Sequence, residues 1–372
     1  MILKSMSNVK NKYNDLSLEE RIIIAYSFIK NIPNCFFEIK DIIVDWNTLF
    51  KYAISNRVLP MVWKNICDYG KVSRFPKYNY DIAKGAYLYN IEKNKLYLQH
   101  LQSIKNELSK NEIKCQELKG AYLLDTIYKD YGLRSLGDID LLIYPKDKDK
   151  IENPLNKIGF YLGKYNSNCK KILKPTRSET IKWKLNMSNL YPFTKISDSK
   201  VLSVIKLDFR FSLSDDLNDK PVNEIMDFIC RTGYIKSVHV LIQLCSHLYD
   251  ESKQSMNIVI GKDINLIKYI DIREYILQKM SDDDLKEAVE FCLKYGLEKQ
   301  LYYTLYHLRL IYNDGYEEKY MNMLNITDDS FLNTYSDNSI SNQHIWKKTF
   351  FERMFSGDNR DELDELPKFF RE

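Results

Sequence analysis

Two aspartates, Asp138 and Asp140, stand one residue apart at the head of an apolar run that continues through Leu141, Leu142 and Ile143. Such a run reads as a strand. Alternate strand residues share a face, so both carboxylates project together while Ile139, Leu141 and Ile143 point into a core on the other side. Neighbouring anions repel unless a cation lies between them. The segment therefore requires a sheet with one polar face and a compensating charge. A hard, oxygen-seeking dication such as Mg²⁺ suits that face.

A third carboxylate follows in Val204-Ile205-Lys206-Leu207-Asp208-Phe209-Arg210-Phe211. Ile205, Leu207, Phe209 and Phe211 alternate with Val204, Lys206, Asp208 and Arg210, the pattern of a half-buried strand. If this strand lies beside the first, three acids converge, which is the arrangement that two-metal phosphoryl transfer requires. Upstream, Leu118-Lys119-Gly120-Ala121 joins a short strand, Ile113 to Leu118, to a helix from Ala121 to Tyr131 that Gly132 ends. Glycine at such a turn lets a phosphate approach the backbone, and a helix N-terminus offers N–H groups to it. Lys119 is placed to meet a phosphate as a point charge. Arg134 and Ser135, just before the acidic strand, are placed to do the same.

Around this centre the pattern is helical. Ser17 and Glu20 have capping-box spacing, helices are expected at Trp46 to Ser55 and from Pro60, and Asp81 to Lys110 reads as one long amphipathic helix. Lys146 to Ile158 reads as helix, Phe160 to Leu162 and Ile181 to Met187 as strands, and the basic stretch Asn166 to Arg177 as a loop. From Pro221 onward the helical period returns, most clearly at Val238 to Tyr249, Ile264 to Lys279, Asp282 to Tyr295 and Leu297 to Ile311. The end of the chain, from Ser339, is charged but carries Trp346, Phe350, Phe351, Phe355, Phe369 and Phe370, so it is expected to dock. The fold class is α+β: a small mixed-sheet core at residues 111–215, flanked by an N-terminal helical region, 1–110, and a C-terminal one, 216–372, with an aromatic, charged tail.

Bulk properties narrow the chemistry. The net charge of +4 on 372 residues is not the footprint of a dedicated nucleic-acid binder. Seven scattered cysteines with no CxxC pair argue against a disulfide framework or zinc site. Met1 to Lys12 is polar, and no apolar stretch of about 18 residues occurs, so a soluble cytoplasmic protein without a membrane partner is expected. Walker, dinucleotide-binding and nucleophile-elbow motifs are absent. His239 and His247 are too far apart on one helix for the usual metal pair, and a packing role is expected for His247 and Asp271.

These pieces resemble the nucleotidyltransferase superfamily typified by DNA polymerase beta. The nearer resemblance is to the bacterial uncharacterised nucleotidyltransferase family. It rests on Leu118-Lys119-Gly120, Arg134, Asp138-Ile139-Asp140-Leu141-Leu142 and Ile158-Gly159-Phe160, and more loosely on Arg57-Val58-Leu59-Pro60, Asp208, His247 and Asp271. The resemblance implies a nucleotidyltransferase core and Mg²⁺-dependent transfer of a nucleotidyl group from an NTP, ATP foremost, to a hydroxyl-type acceptor. Two ions are implied, with Mn²⁺ able to substitute. Asp138, Asp140 and Asp208 would be catalytic and hold the metal, while Lys119, Gly120, Arg134 and Ser135 would bind the nucleotide. A peptide, protein or small molecule is the expected acceptor, ahead of nucleic acid. Two departures stand out. Ala121 replaces the usual turn serine, and Arg210 occupies a position where the nearer family often has histidine. An inactive nucleotide-binding or scaffold protein of the same fold is the alternative they keep open.

Overall fold

The computed structural model describes residues 13, 15–40, 42–71, 75–214, 217–335 and 344–363. The chain divides into two compact units: one within residues 1–87, 248–279 and 298–372, the other formed by 88–247 and 280–297.

The first unit is mainly helical. Ser17 and Glu20 close their capping box at the head of Leu18–Ala25, whose Ile22, Ile23 and Ile24 enter the core. Trp46–Ser55 follows behind an Asp45 cap, and Leu59–Tyr69 carries Pro60 in its first turn, where a missing N–H costs nothing. Buried polar groups join distant segments. Asn56 donates to the carbonyl of Met354 at 3.1 Å and accepts from the Leu266 amide at 2.9 Å. Arg273, in the helix Leu266–Lys279, forms a two-pronged pair with Asp314 at 2.6 and 2.8 Å. The chain end docks as expected through the helix Phe350–Ser356. Phe350 lies 5.5 Å from Tyr269 and 4.4 Å from His307, and Phe355 lies 5.2 Å from Tyr52. Phe369 and Phe370 lie outside the described residues.

The second unit holds a mixed five-stranded sheet, the α+β core expected from the sequence. Its strands are β1 (Cys115–Glu117), β2 (Ile139–Ile143), β3 (Tyr161–Leu162), β6 (Phe193–Ile196) and β7 (Val204–Arg210), in the order β1-β2-β7-β6-β3. Two further strands, β4 (Lys164–Asn166) and β5 (Lys171–Leu173), form a separate hairpin. Strand β2 pairs antiparallel with β1 and parallel with β7, and the other pairs are antiparallel. On one face Phe193 and Phe209 meet edge to face at 5.9 Å. Every residue of β2 is buried, Leu142 included. It is therefore a central strand covered on both faces, not a half-solvated one. The helix Lys220–Thr232 packs against it.

Several local expectations are corrected. Ile181 to Met187 is not a strand: residues 181–186 belong to the helix Arg177–Asn186, nucleated by a Thr176–Glu179 capping box, and Met187 caps its end. The stretch 166–177 is not wholly loop, because Asn166 pairs with Lys171 across the β4–β5 hairpin. Strand β6 was not anticipated. The helix after the lysine-glycine turn runs over Lys119–Leu123 and widens to a π-helix at Leu124–Tyr128. It stops at Lys129, in the left-handed region with φ 59°, before reaching Gly132. Lys146 to Ile158 is a 3₁₀ turn, Pro145–Lys150, followed by the short helix Glu152–Lys157.

Candidate active site

The register between β2 and β7 sets the site. Asp140 lies directly opposite Asp208 in the parallel pair, with Ile139 opposite Leu207 and Leu141 opposite Phe209. Residues opposed in this way share a face, so the two carboxylates project together while the apolar neighbours enter the core. Asp138 precedes Asp140 by two residues, at the mouth of β2, and is half-buried.

The electrostatics bring the three acids together. Burial first, then the carboxylates of Asp138 and Asp140, push the Asp208 carboxyl up to about 8, while Lys119 and Arg210 pull the other way. Asp208 Oδ1 is buried and meets no hydrogen-bond donor. Lys119 Nζ donates to Asp140 Oδ1 at 2.6 Å, and both side chains are largely buried. Lys119, expected to face a phosphate, thus carries the compensating charge for an acid. Its own backbone is strained, with φ 47°.

Lys119 and Arg210 are the cations that act on Asp208, whose Oδ1 is orphaned. An all-oxygen donor set fits a hard dication, Mg²⁺ or Mn²⁺, with Asp138, Asp140 and Asp208 as the residues that would hold it. Among the described residues, no three His, Cys, Asp or Glu side chains stand in a ready metal-holding group. Here Asp140 is engaged by Lys119 instead.

Gly120 has a local packing cause as well. A Cβ there would come within 2.1 Å of Arg134 Nη1 and 2.5 Å of Leu136 Cδ2. The glycine lets the Arg134 guanidinium lie against the turn that follows Lys119. Ser135 is exposed, and its hydroxyl accepts from Lys93 Nζ at 2.9 Å. His247 is half-buried in the helix Ser237–Lys253, and Asp271 is buried in Leu266–Lys279.

One set of residues escaped the sequence reading. The loop from Tyr131 to Gly137, which delivers Arg134 and then Asp138, is held by one stripe of the long helix Lys77–Lys110. Asn90 donates to the Gly132 carbonyl at 3.0 Å. Asn94, fully buried, donates to the carbonyls of Tyr131 and Arg134 at 2.7 and 2.6 Å and accepts from the Leu136 amide at 3.1 Å. Tyr97 donates to the Gly137 carbonyl at 2.8 Å, and its phenol is raised by burial and by the Asp138 carboxylate. With Lys93 these residues fall at the i, i+3, i+4, i+7 spacing of one helix face. That spacing, polar inside an otherwise amphipathic helix, is the one signal in the sequence that could have found them.

Asn94→Ala leaves three buried backbone groups without their partner. It is expected to cost on the order of 2 kcal/mol, read by urea unfolding, with faster hydrogen exchange at the Leu136 amide. Unchanged exchange at that amide would refute the clamp.

The sheet thus sets Asp140 level with Asp208 on the parallel neighbour, with Asp138 at the mouth of the central strand and the glycine turn after the preceding strand. Residues 43–313 match the family described as uncharacterised nucleotidyltransferase, and the chain belongs to that family. Membership supports nucleotidyl transfer as the class of activity and implies an NTP as substrate. Neither the curated proteins nor the solved structures gave a match. No helix among the described residues is long and apolar enough to cross a membrane.

Proposed function

We propose that this protein is a Mg²⁺-dependent nucleotidyltransferase of the cytoplasm, taking a nucleotidyl group from an NTP, ATP foremost, to a hydroxyl of a peptide, protein or small molecule. The observation that carries the reading is the orphaned, buried Asp208 Oδ1 directly across the sheet from Asp140. Asp138, Asp140 and Asp208 would hold the metal, with Mn²⁺ as a substitute. When bound, Mg²⁺ neutralises polyphosphate charge and lowers the pKa of the attacking hydroxyl.

The chain's own residues supply the rest. Arg134, lying against Gly120, and Lys119 offer positive charge to the triphosphate. Ser135 adds a hydroxyl at the exposed edge of that loop. Asp208, whose buried Oδ1 has no donor, would complete the site and help activate the acceptor's hydroxyl, taking its proton once a bound dication keeps the carboxylate ionised. The acceptor oxygen bonds to the α-phosphorus, the α–β bridging bond breaks, and pyrophosphate leaves.

The test is incubation with each NTP labelled at the α-phosphate, Mg²⁺ and a panel of hydroxyl-bearing peptides and metabolites, beside the Asp138→Ala, Asp140→Ala double variant. Label transfer and pyrophosphate release by the wild type alone support the proposal. NTP binding without pyrophosphate release across the panel would instead favour a scaffold, to which Arg210 in place of histidine lends weight.

A further inference from the structure

The second unit carries a strongly basic arm that the active site does not use. It consists of the β4–β5 hairpin and the helix Arg177–Asn186, inserted between the sheet strands β3 and β6. Lys164, Lys170, Lys171, Lys174, Arg177, Lys182 and Lys184 are all exposed there. Glu179 is the one acid between positions 164 and 184, and it is held in its capping box, accepting from the Thr176 amide and hydroxyl at 2.7 and 2.8 Å. Seven cations against one committed carboxylate exceed the +4 of the entire chain. The positive charge is thus concentrated in this arm and offset elsewhere.

The arm is also apolar in places. Leu173 and Ile181 are each 49% exposed, and Tyr161 at its base is 47% exposed. Ile181 falls between Arg177 and Lys184 at helical spacing, which gives a basic–apolar–basic stripe. At the base of the hairpin, Lys164 Nζ lies 5.3 Å from the ring centres of both Trp183 and Tyr191, whose rings are 4.9 Å apart. Lys164, set over that aromatic pair, ties the hairpin to the helix. Lys170, Lys171, Lys174, Arg177 and Lys184 form no ion pair among the described residues.

We propose that this arm is a docking surface for a single-stranded polynucleotide. Such a chain alternates phosphate charge with flat apolar bases, matching lysines interleaved with exposed Leu173, Ile181 and Tyr161. Six of the seven cations are lysines, which suit phosphate as point charges. A run of carboxylates alone would meet the lysines but leave the exposed Leu173, Ile181 and Tyr161 uncovered. The inference concerns binding and stands whether or not the three acids support turnover.

The test is fluorescence anisotropy of the full chain with labelled 20-nucleotide RNA and DNA single strands across a salt series. Five phosphate contacts give a slope of about −3.5 in log affinity against log salt, or a loss of about 100-fold between 50 and 200 mM. Lys170→Ala, Lys171→Ala and Lys174→Ala together reduce that loss to about sevenfold. The pair Arg177→Ala, Lys184→Ala flattens the slope independently. Asp138→Ala with Asp140→Ala leaves binding in place, which separates this proposal from the fate of the catalytic reading. An unchanged slope in both lysine and arginine variants would overturn it. Equal competition by polyglutamate of matched charge would also overturn it, in favour of an acidic-peptide surface.

Discussion

Asp140→Asn lowers nucleotidyl transfer by at least about a thousandfold, roughly 4 kcal/mol of barrier, while the protein stays folded. Asparagine keeps the shape of the side chain, and its amide oxygen still accepts from Lys119 Nζ, which donates to Asp140 at 2.6 Å. What disappears is one negative charge on a buried face that would otherwise bind a dication. Asp138→Asn is expected to behave alike, because its carboxylate acts on the same centre. Lys119→Met should differ in kind. It removes a charge offered to the triphosphate and leaves Asp140 without its partner, so KM rises about 10- to 100-fold and the protein loses stability as well. Pyrophosphate release measured beside circular dichroism separates these cases. Above a tenth of wild-type turnover in Asp140→Asn, the proposed role of that carboxylate fails.

The strands that carry the acids were more legible than the elements around them. The faces taken by Asp140 and Asp208 were legible because strand alternation is local. Ile205, Leu207 and Phe209 declare one face, and Asp208 follows on the other. The helix Asp282–Tyr295 was legible through its capping serine and the apolar positions Leu285, Ala288, Val289 and Cys292. The helix Arg177–Asn186 was misread as strand because few apolar residues mark its period, although Thr176 and Glu179 carry the same capping box that announced Leu18–Ala25. Strand β6 is four residues long, and its place is set by pairing with β7, a contact no local pattern announces. Gly120 was identified, but the packing reason for it was not. The need for a missing Cβ comes from Arg134 and Leu136, which only the folded chain brings to that turn. Asn94 was passed over because a buried asparagine declares itself only through the carbonyls it serves.

Wild-type stability in the absence of divalent ions is expected to fall as pH rises from about 4 to about 8, and Asp208→Asn to remove that part of the dependence. Unfolded, the carboxyl titrates at its ordinary value of 3.8, whereas in the folded protein burial and two neighbouring carboxylates push it up to about 8. Between those limits the native state holds a proton that the unfolded chain has released, so each increment of pH favours unfolding. Below the window both states are protonated, above it both are ionised, and the contribution to the slope vanishes at each end. Within it the slope is at most about 1.4 kcal/mol per pH unit for one group. Asp263, in the other unit, is raised by burial to about 6 and tilts the curve the same way at lower pH. It does so equally in wild type and variant, and their difference isolates Asp208. The variant is therefore expected to match the wild type near pH 4 and to melt higher near pH 8, where the wild type carries an orphaned buried anion. Millimolar Mg²⁺ at pH 8 should raise the wild-type melting temperature and narrow that gap, because a cation that binds the native carboxylates favours the folded state by mass action. Melting curves at pH 4, 6 and 8, with and without Mg²⁺, decide the matter. Parallel pH profiles for the two proteins would show that Asp208 is not held in the strained, proton-seeking state its surroundings impose.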